Sequence, residues 1–369
     1  MIWHFRSGIT HDLQLFSPPT MNPRLATPPL VPRRSFLASA ALGAGGLWLR
    51  SRGLAQDARR ELAADTDRAL IAITLDMEMS RNFPAWEQTH WDYEKGNLNE
   101  TTKRYCVDAG RRVKARGGVI HYFLVGQVLE HESVDWLKAI AADGHPIGNH
   151  TYDHVYVLAK RPEDVQFRFK RSPWLIAGKS AEEVIRENIA MTTRAMQARV
   201  GVAPAGFRTP GGFATGLHGR EDVQRMLLDL GFPWVSCFVP RTEIGPPGGA
   251  ATPEIVAGIV KAQAEAQPFV YPTGLIDIPM SPISDVAAFR TGKWKLESFL
   301  MAIRAGVEWA IEHRGVFDYL SHPSILCYVD PEFKVIDMIC DLVRKAGPRA
   351  AIVDLDTIAL RTKLRAARR

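Results

Sequence analysis

The chain has 369 residues, of which 46% are hydrophobic and 23% charged, a composition typical of a folded globular protein. That length accommodates one large domain with an added leader or tail. The formal net charge of +6 is concentrated at the two ends, since residues 1–55 and residues 361–369 each contribute +5. The intervening residues therefore carry −4, which argues against a basic groove for nucleic acid.

Residues 1–55 resemble an export leader of the twin-arginine type. Arg33 and Arg34 precede a short apolar run of small residues, and a small-residue cleavage site follows near Ala55. A short buried helix is the alternative for this run. The run is too short to span a bilayer, and no later segment is long and apolar enough for a stable span. We therefore expect a periplasmic or extracellular protein, with Met21 as the more usual start of such a signal.

From residue 69 onwards, short apolar runs alternate with segments of helical periodicity. The apolar runs predict strands at 69–76, 119–125, 233–239, 275–279, 316–320 and 350–354. The periodic segments predict helices at 101–116, 134–143, 181–200, 220–230, 294–312 and 332–346. The alternation indicates an α/β fold with a mostly parallel sheet, either a barrel or doubly wound. The predicted catalytic domain spans residues 68–360, between a linker at 56–67 and a basic tail at 361–369.

The cysteines are widely spaced and form no CxxC pair, which argues against a thiolate metal site or a redox motif. Free cysteines in the core are favoured over a disulfide. The four residues are Cys106, Cys237, Cys327 and Cys340.

Functional residues of α/β folds lie at the carboxyl ends of the strands, so polar residues that end apolar runs are candidates. Asp76 and Glu78 end the first run, and because side chains alternate along a strand they point to the same side. Two carboxylates held together need a cation or a metal ion unless water solvates both. The segment therefore predicts either a metal-associated pair or a solvated pair at a loop mouth.

The segment GNHTYDH contains His150 and His154, four residues apart. This spacing predicts both imidazoles on one face of a helical turn, where they suit a divalent metal ion. HxxxH on its own is more often a surface pair. The preceding helix and the tight turn expected at Gly148 and Asn149 favour the metal site.

Two further segments place polar residues in rigid positions. Arg208 is followed by Pro210 and Gly211, which predicts a cation held rigidly in a loop. His322 follows an apolar strand and is available there as a general acid or base. A structural histidine with satisfied hydrogen bonds is the alternative for His322.

In this order, the carboxylate pair, HTxxH, RxPxG and a histidine at a strand end resemble the polysaccharide deacetylases of the NodB-homology class, carbohydrate esterase family 4. The resemblance covers roughly residues 68–355. It implies a distorted (β/α) barrel and a hydrolase that removes acetyl groups from N- or O-acetylated polysaccharides or oligosaccharides. It also implies one divalent metal ion, with zinc expected and Co²⁺, Ni²⁺ or Fe²⁺ as alternatives.

The resemblance assigns roles to individual residues. Asp76 would be the general base, Arg208 would hold and tune it, and His322 would be the general acid. Water bound to the metal ion would attack the acetyl carbonyl. The three metal ligands would be Glu78, His150 and His154.

Predicted substrate contacts lie at Pro210 and at Tyr319, which occupies the position of a family leucine. Asp277, within the apolar run at 275–279, is the predicted carboxylate partner of His322.

The first motif departs from the adjacent aspartates usual in the family, since Met77 separates its two carboxylates. The D-x-E form occurs in a branch that includes peptidoglycan-deacetylase-like and allantoinase-like members. Hydrolysis of a small non-sugar amide or cyclic imide is therefore an alternative function. A glycan-binding relative without catalysis is a second alternative. An iron oxygenase is disfavoured, because such sites usually occupy an all-β architecture.

Overall fold

The computed structural model describes residues 56–57, 59–81, 83 and 95–368. The predicted leader therefore lies outside the described residues. Residues 59–64, within the predicted linker, are helical, and Ala63 is only 1% exposed. This part of the linker packs on the domain. No helix in the described ranges is both long and apolar enough to cross a membrane.

Nine strands form one sheet in the described part of the chain. They are β1 Ala69–Met77, β2 Ile120–Leu124, β3 Ile147–Asn149, β4 Phe207–Phe213, β5 Trp234–Phe238, β6 Phe269–Val270, β7 Ile276–Asp277, β8 Val316–Ser321 and β9 Ala350–Ile352. Their order is β6-β7-β5-β4-β3-β2-β1-β8, and β9 pairs with β1. The pairs are parallel except β6–β7, which is antiparallel.

Helices connect most of these strands, as the parallel sheet requires. They are α1 Glu100–Lys114, α2 Asp135–Ala142, α3 Phe167–Arg171, α4 Ala181–Arg199, α5 Glu221–Asp229, α6 Pro253–Glu265, α7 Leu296–His313, α8 Pro323–Val329, α9 Lys334–Ala346 and α10 Leu355–Ala366. Asn99 caps α1 through its side chain, and Ser180 with Glu183 forms a capping box at α4. These caps set the start of each helix and so the direction of the preceding loop.

Strand β1 pairs with β2, β8 and β9, and all nine of its residues are buried. Met77 pairs with Leu124 of β2, and Leu75 pairs with Ser321 of β8, so the carboxyl ends of the three strands are aligned. After β7, Ser281 N–H donates to the carbonyl of Asp318 in β8 at 2.9 Å. This contact draws the ends of the sheet together. The curled parallel sheet confirms the predicted distorted (β/α) barrel.

Several predicted boundaries differ from the structure. Residues 207–213 form β4 and not a loop, with an irregular register between Arg208 and Phe213. The boundary predicted at residue 360 falls inside α10, so residues 361–366 continue a helix of the domain and are not a separate tail. Arg361 is 2% exposed and donates to the carbonyls of Leu62, Asp65 and Arg68.

The four cysteines are buried and free. Their thiols belong to the packed interior, as the sequence predicted.

Candidate active site

A cavity of about 300 Å³ opens at the carboxyl ends of the central strands. Its described lining residues are Asp76, Glu78, Arg81, Lys95, His150, His154, Thr209, Gly211, Gly212, Met280, Ser284, Val286, Arg290, Leu320 and His322. Five of the residues proposed from the sequence are among them. A larger cavity of about 730 Å³ at the amino end of β8 contains none of these residues.

Glu78, His150 and His154 form a cluster whose potential ligand atoms all lie within 4.8 Å of one another. Glu78 Oε2 is 2.7 Å from His154 Nε2 and 3.5 Å from His150 Nε2. The carbonyl oxygen of Arg208 is 3.0 Å from His150 Nδ1 and can only accept, so Nδ1 carries the proton. The lone pair of His150 Nε2 is therefore directed at the cluster.

The two histidines converge through a loop and not through a helical turn, so that prediction was wrong. Thr151 and His154 have left-handed backbone φ angles of 61° and 56°. Asn149 Oδ1 accepts from Thr151 N–H, and Asn188 Oδ1 accepts from the next two backbone N–H groups. Asn188 lies on α4, and nothing in the local sequence around the histidines pointed to it. These side-chain bonds hold the strained loop in place.

The charge state of the cluster suits cation binding. Burial lowers the pKa of His154 to about 4, although the charge of Glu78 opposes this, so the imidazole is neutral near pH 7. Burial raises the pKa of Glu78, but its interactions with His154, Lys95 and His150 outweigh burial, and the net pKa lies well below its usual value. The Lys95 ammonium contacts Glu78 Oε1 and is 4% exposed. Lys95 is a site residue that the sequence did not reveal.

Asp76 is held by Arg208 in a buried charge network. Arg208 Nη1 is 3.0 Å from Asp76 Oδ1, and Nη2 is 2.6 Å from Asp318 Oδ2. The guanidinium is fully buried, lies 4.3 Å above the Phe123 ring and also donates to Thr74 Oγ1. The pKa of Asp318 is raised overall, because burial raises it by more than the charge of Arg208 lowers it. Asp318 was missed, because one acid inside an apolar strand resembles a surface-facing residue.

His322 is positioned by Asp285. His322 Nδ1 lies 2.9 Å from Asp285 Oδ1, and the His322 backbone N–H donates to Asp285 Oδ2 at 2.6 Å. His322 Nε2 faces the cluster, 3.6 Å from Glu78 Oε1. Burial lowers the pKa of His322, but the charge and hydrogen bond of Asp285 outweigh it, and the net shift is upward. The protonated imidazole is therefore favoured, as a general acid requires.

Asp277 is not the partner of His322, contrary to the sequence prediction. It is fully buried and accepts hydrogen bonds from the Tyr271 hydroxyl at 2.6 Å and the Cys237 thiol at 2.9 Å. Burial raises its pKa. Asp277 ends β7. The segment that follows β7 comes within hydrogen-bond distance of His322 only at Asp285.

Tyr319 and Pro210, predicted to contact the substrate, are both buried, and neighbouring residues line the cavity. Tyr319 is fully buried and accepts a hydrogen bond from Ser321 Oγ, so it faces away from the cavity. Side chains alternate along β8, and Leu320 therefore lines the cavity. Pro210 is buried, while Thr209 and Gly211 on either side of it are lining residues. Leu320 thus takes the place expected for the family leucine.

Comparison with known proteins places this arrangement in a family context. The family model "Polysaccharide deacetylase" matches residues 111–231. A structure described as a polysaccharide deacetylase from Mycobacterium smegmatis is 15% identical, with a TM-score of 0.56, and the match covers 82% of this chain and 93% of that one. The comparison with curated proteins gives no match.

Two further solved structures share the fold. One is described as a polysaccharide deacetylase from Pseudomonas aeruginosa PAO1, with 13% identity, a TM-score of 0.51 and coverage of 79% and 90% of the two chains. The other is Puue allantoinase, with 13% identity, a TM-score of 0.53 and coverage of 81% and 91%. The chain therefore has the fold of polysaccharide deacetylases and their sequence signature over residues 111–231. The resemblance inferred from its motifs is confirmed for the fold and for the sequence of residues 111–231.

Proposed function

We propose that the protein is a metal-dependent deacetylase that hydrolyses N- or O-acetyl groups of a glycan. The observation that best supports this proposal is that three groups of residues converge at one cavity. They are the Glu78-His150-His154 cluster, the Asp76–Arg208 pair and the His322–Asp285 pair. A structural role for any one of these pairs would not require the other two beside it.

The cluster fits a divalent metal ion. One carboxylate oxygen and two imidazole nitrogens are a donor set that zinc and related ions accept, with positions left open for other ligands. Glu78 Oε2 is buried and has no hydrogen bond of normal geometry within the described residues. When bound, the ion would polarise the acetyl carbonyl and lower the pKa of a coordinated water. Zinc is the expected ion, with Co²⁺, Ni²⁺ or Fe²⁺ as alternatives.

The remaining residues supply the proton transfers. Arg208 binds Asp76 through Oδ1, while Oδ2 lies 3.8 Å from His150 Nε2, on the metal side. Asp76 can therefore take the proton of the attacking water while the guanidinium holds its carboxylate in place. Asp285 orients His322 through Nδ1, so that Nε2 can protonate the departing amine or alcohol. An amine cannot leave as an anion, which makes this acid essential for amide cleavage.

Removal of the metal ion is expected to abolish acetate release. Dialysis against a chelator should remove both bound metal and activity, and zinc should restore them together. Glu78→Gln is expected to lower metal content, because an amide oxygen is a weaker ligand than a carboxylate. Elemental analysis and acetate release from N-acetylated oligosaccharides provide the two measurements.

The exposed Glu182→Gln variant serves as the matched control and should keep the metal content of the unmodified protein. Full acetate release by a preparation with far less than one metal ion per chain would contradict metal dependence.

Asp285→Asn is expected to move the alkaline limb of the kcat–pH profile to lower pH. Asp285 raises the pKa of His322 above its ordinary value, so the acid form persists to higher pH in the unmodified protein. Without that charge, burial dominates and the proton is lost earlier as pH rises. Asp277→Asn is the comparison, since Asp277 has no contact with His322, and its alkaline limb should not move. If the alkaline limb of the kcat–pH profile did not move in Asp285→Asn, Asp285 would not be the residue that raises the pKa of His322.

Hydrolysis of a small amide or cyclic imide is the second candidate function. Puue allantoinase matches the fold about as well as the two polysaccharide deacetylases. A cavity of about 300 Å³ is also at the small end of the range for ligand sites. Acetate release from chitin, peptidoglycan and xylan fragments, compared with ring opening of cyclic ureides and imides, separates the two candidates.

A further inference from the structure

The described lining of the active-site cavity carries more positive than negative charge. Asp76 and Glu78 provide two carboxylates, while Arg81, Lys95 and Arg290 provide three cations. A divalent metal ion at the proposed site would increase this excess. Neutral sugars and neutral amides offer no charge to balance it.

Arg290 is the cation in this set that has no hydrogen-bonded or ion-paired acid among the described residues. It belongs to the π-helical turn Val286–Thr291, which follows Asp285 directly, and it lines the same cavity as Glu78 and His322. It is partly buried, and it forms no hydrogen bond or ion pair with any residue in the described ranges. Burial and the charge of Arg81 lower its pKa, against the opposing charges of Glu78 and Asp285.

A guanidinium that is partly withdrawn from water without an acidic partner is costly unless a ligand supplies the partner. Arginine binds carboxylates through two parallel hydrogen bonds, which gives both affinity and orientation. We propose that the substrate carries a carboxylate beside the hydrolysed acetyl group and that Arg290 binds it. This proposal rests on the proposed function and names the substrate class of the same site.

A different role for Arg290 would give a different kinetic result. If it stabilised the oxyanion formed during hydrolysis, its loss would lower kcat for every substrate. If it binds a carboxylate of the substrate, its loss raises KM for anionic substrates and leaves neutral ones unchanged. The distinction is therefore between effects on kcat and on KM, and between charged and neutral substrates.

The test uses N-acetylmuramic acid and N-acetylglucosamine, which differ by one lactyl ether with its carboxylate. We expect the unmodified, zinc-loaded protein to favour the acidic sugar. Arg290→Gln should raise KM for that sugar about 10- to 100-fold, the loss expected for hydrogen bonds to a charged group. Its kcat and its action on the neutral sugar should not change, and Arg290→Lys should recover part of the affinity.

Arg344→Gln is the matched control, because Arg344 is 79% exposed and lies outside the cavity. Binding of both sugars is also measured by calorimetry at a pH where turnover is negligible. Arg290-dependent binding of the acidic sugar without acetate release from either sugar would refute the proposed function but support the carboxylate site. Equal binding of both sugars by the unmodified protein, or an equal fall in kcat on both in Arg290→Gln, would overturn the carboxylate site.

Discussion

Asp76→Asn is expected to lower kcat by about 10²- to 10⁴-fold, the range typical of a lost general base. The asparagine amide has nearly the same shape and can still accept a hydrogen bond from Arg208, but it cannot take a proton from water. Metal content should persist, because the cluster residues Glu78, His150 and His154 are unchanged. Steady-state acetate release and elemental analysis on the same preparation measure the two effects separately.

Asp341→Asn is a suitable control for this substitution, since its side chain is 59% exposed and pairs with Arg344 of the same helix. It should retain full activity. An Asp76→Asn protein that keeps near-normal turnover with bound metal would show that another group accepts the proton.

Arg208→Met is expected to lower the free energy of unfolding by about 3–5 kcal/mol, the usual cost of removing one partner from a buried ion pair. The substitution leaves the carboxylates of Asp76 and Asp318 buried without their shared cation. It also removes the stacking of the guanidinium on Phe123. Urea denaturation followed by circular dichroism measures the change, and activity should be lost as well.

A second substitution separates charge from packing in this variant. Combining Asp318→Asn with Arg208→Met removes one of the two buried carboxylates that lost their cation. The double variant should therefore recover part of the lost stability. If the double variant is as unstable as Arg208→Met alone, packing around the methionine and not buried charge is the cause. A single Arg208→Met variant as stable as the unmodified protein would contradict the charge network itself.

The parts of the site that the sequence revealed are those fixed by local geometry. Strand alternation placed Asp76 and Glu78 on one side, and the end of an apolar strand placed His322 at the rim. Both follow from the period of a single strand. The histidine spacing also pointed to the metal cluster, although the predicted helical turn was wrong and a left-handed loop brings the rings together.

The missed residues are those whose positions depend on distant parts of the chain. Asp277 and Asp285 are both buried acids, but Asp277 ends β7 while Asp285 precedes the π-helical turn, and only the path of the chain between them brings Asp285 to His322. Asp318 and Lys95 likewise gain their roles from partners on other elements. Tertiary packing, and not local sequence, selects among chemically similar candidates.

The elements that escaped prediction have weak local signals. Strand β3 has only three residues, too few for a period to appear. Strand β4 includes Pro210 and two glycines, which usually argue against a strand and are accommodated here by an irregular register. Helix α6 begins at a Thr252 cap that directly follows residues 245–251, a segment rich in glycine and proline.

Arg361 has a consequence for the order in which the protein folds. Its guanidinium joins α10 to the carbonyls of Leu62, Asp65 and Arg68, across sequence separations of 293 to 299 residues. Contacts between such distant segments form slowly, because closing a long loop costs chain entropy. The segment leading into β1 therefore gains these three hydrogen bonds only after α10 has been synthesised. Residues 62–68 thus complete their packing late, once the rest of the domain up to α10 is available.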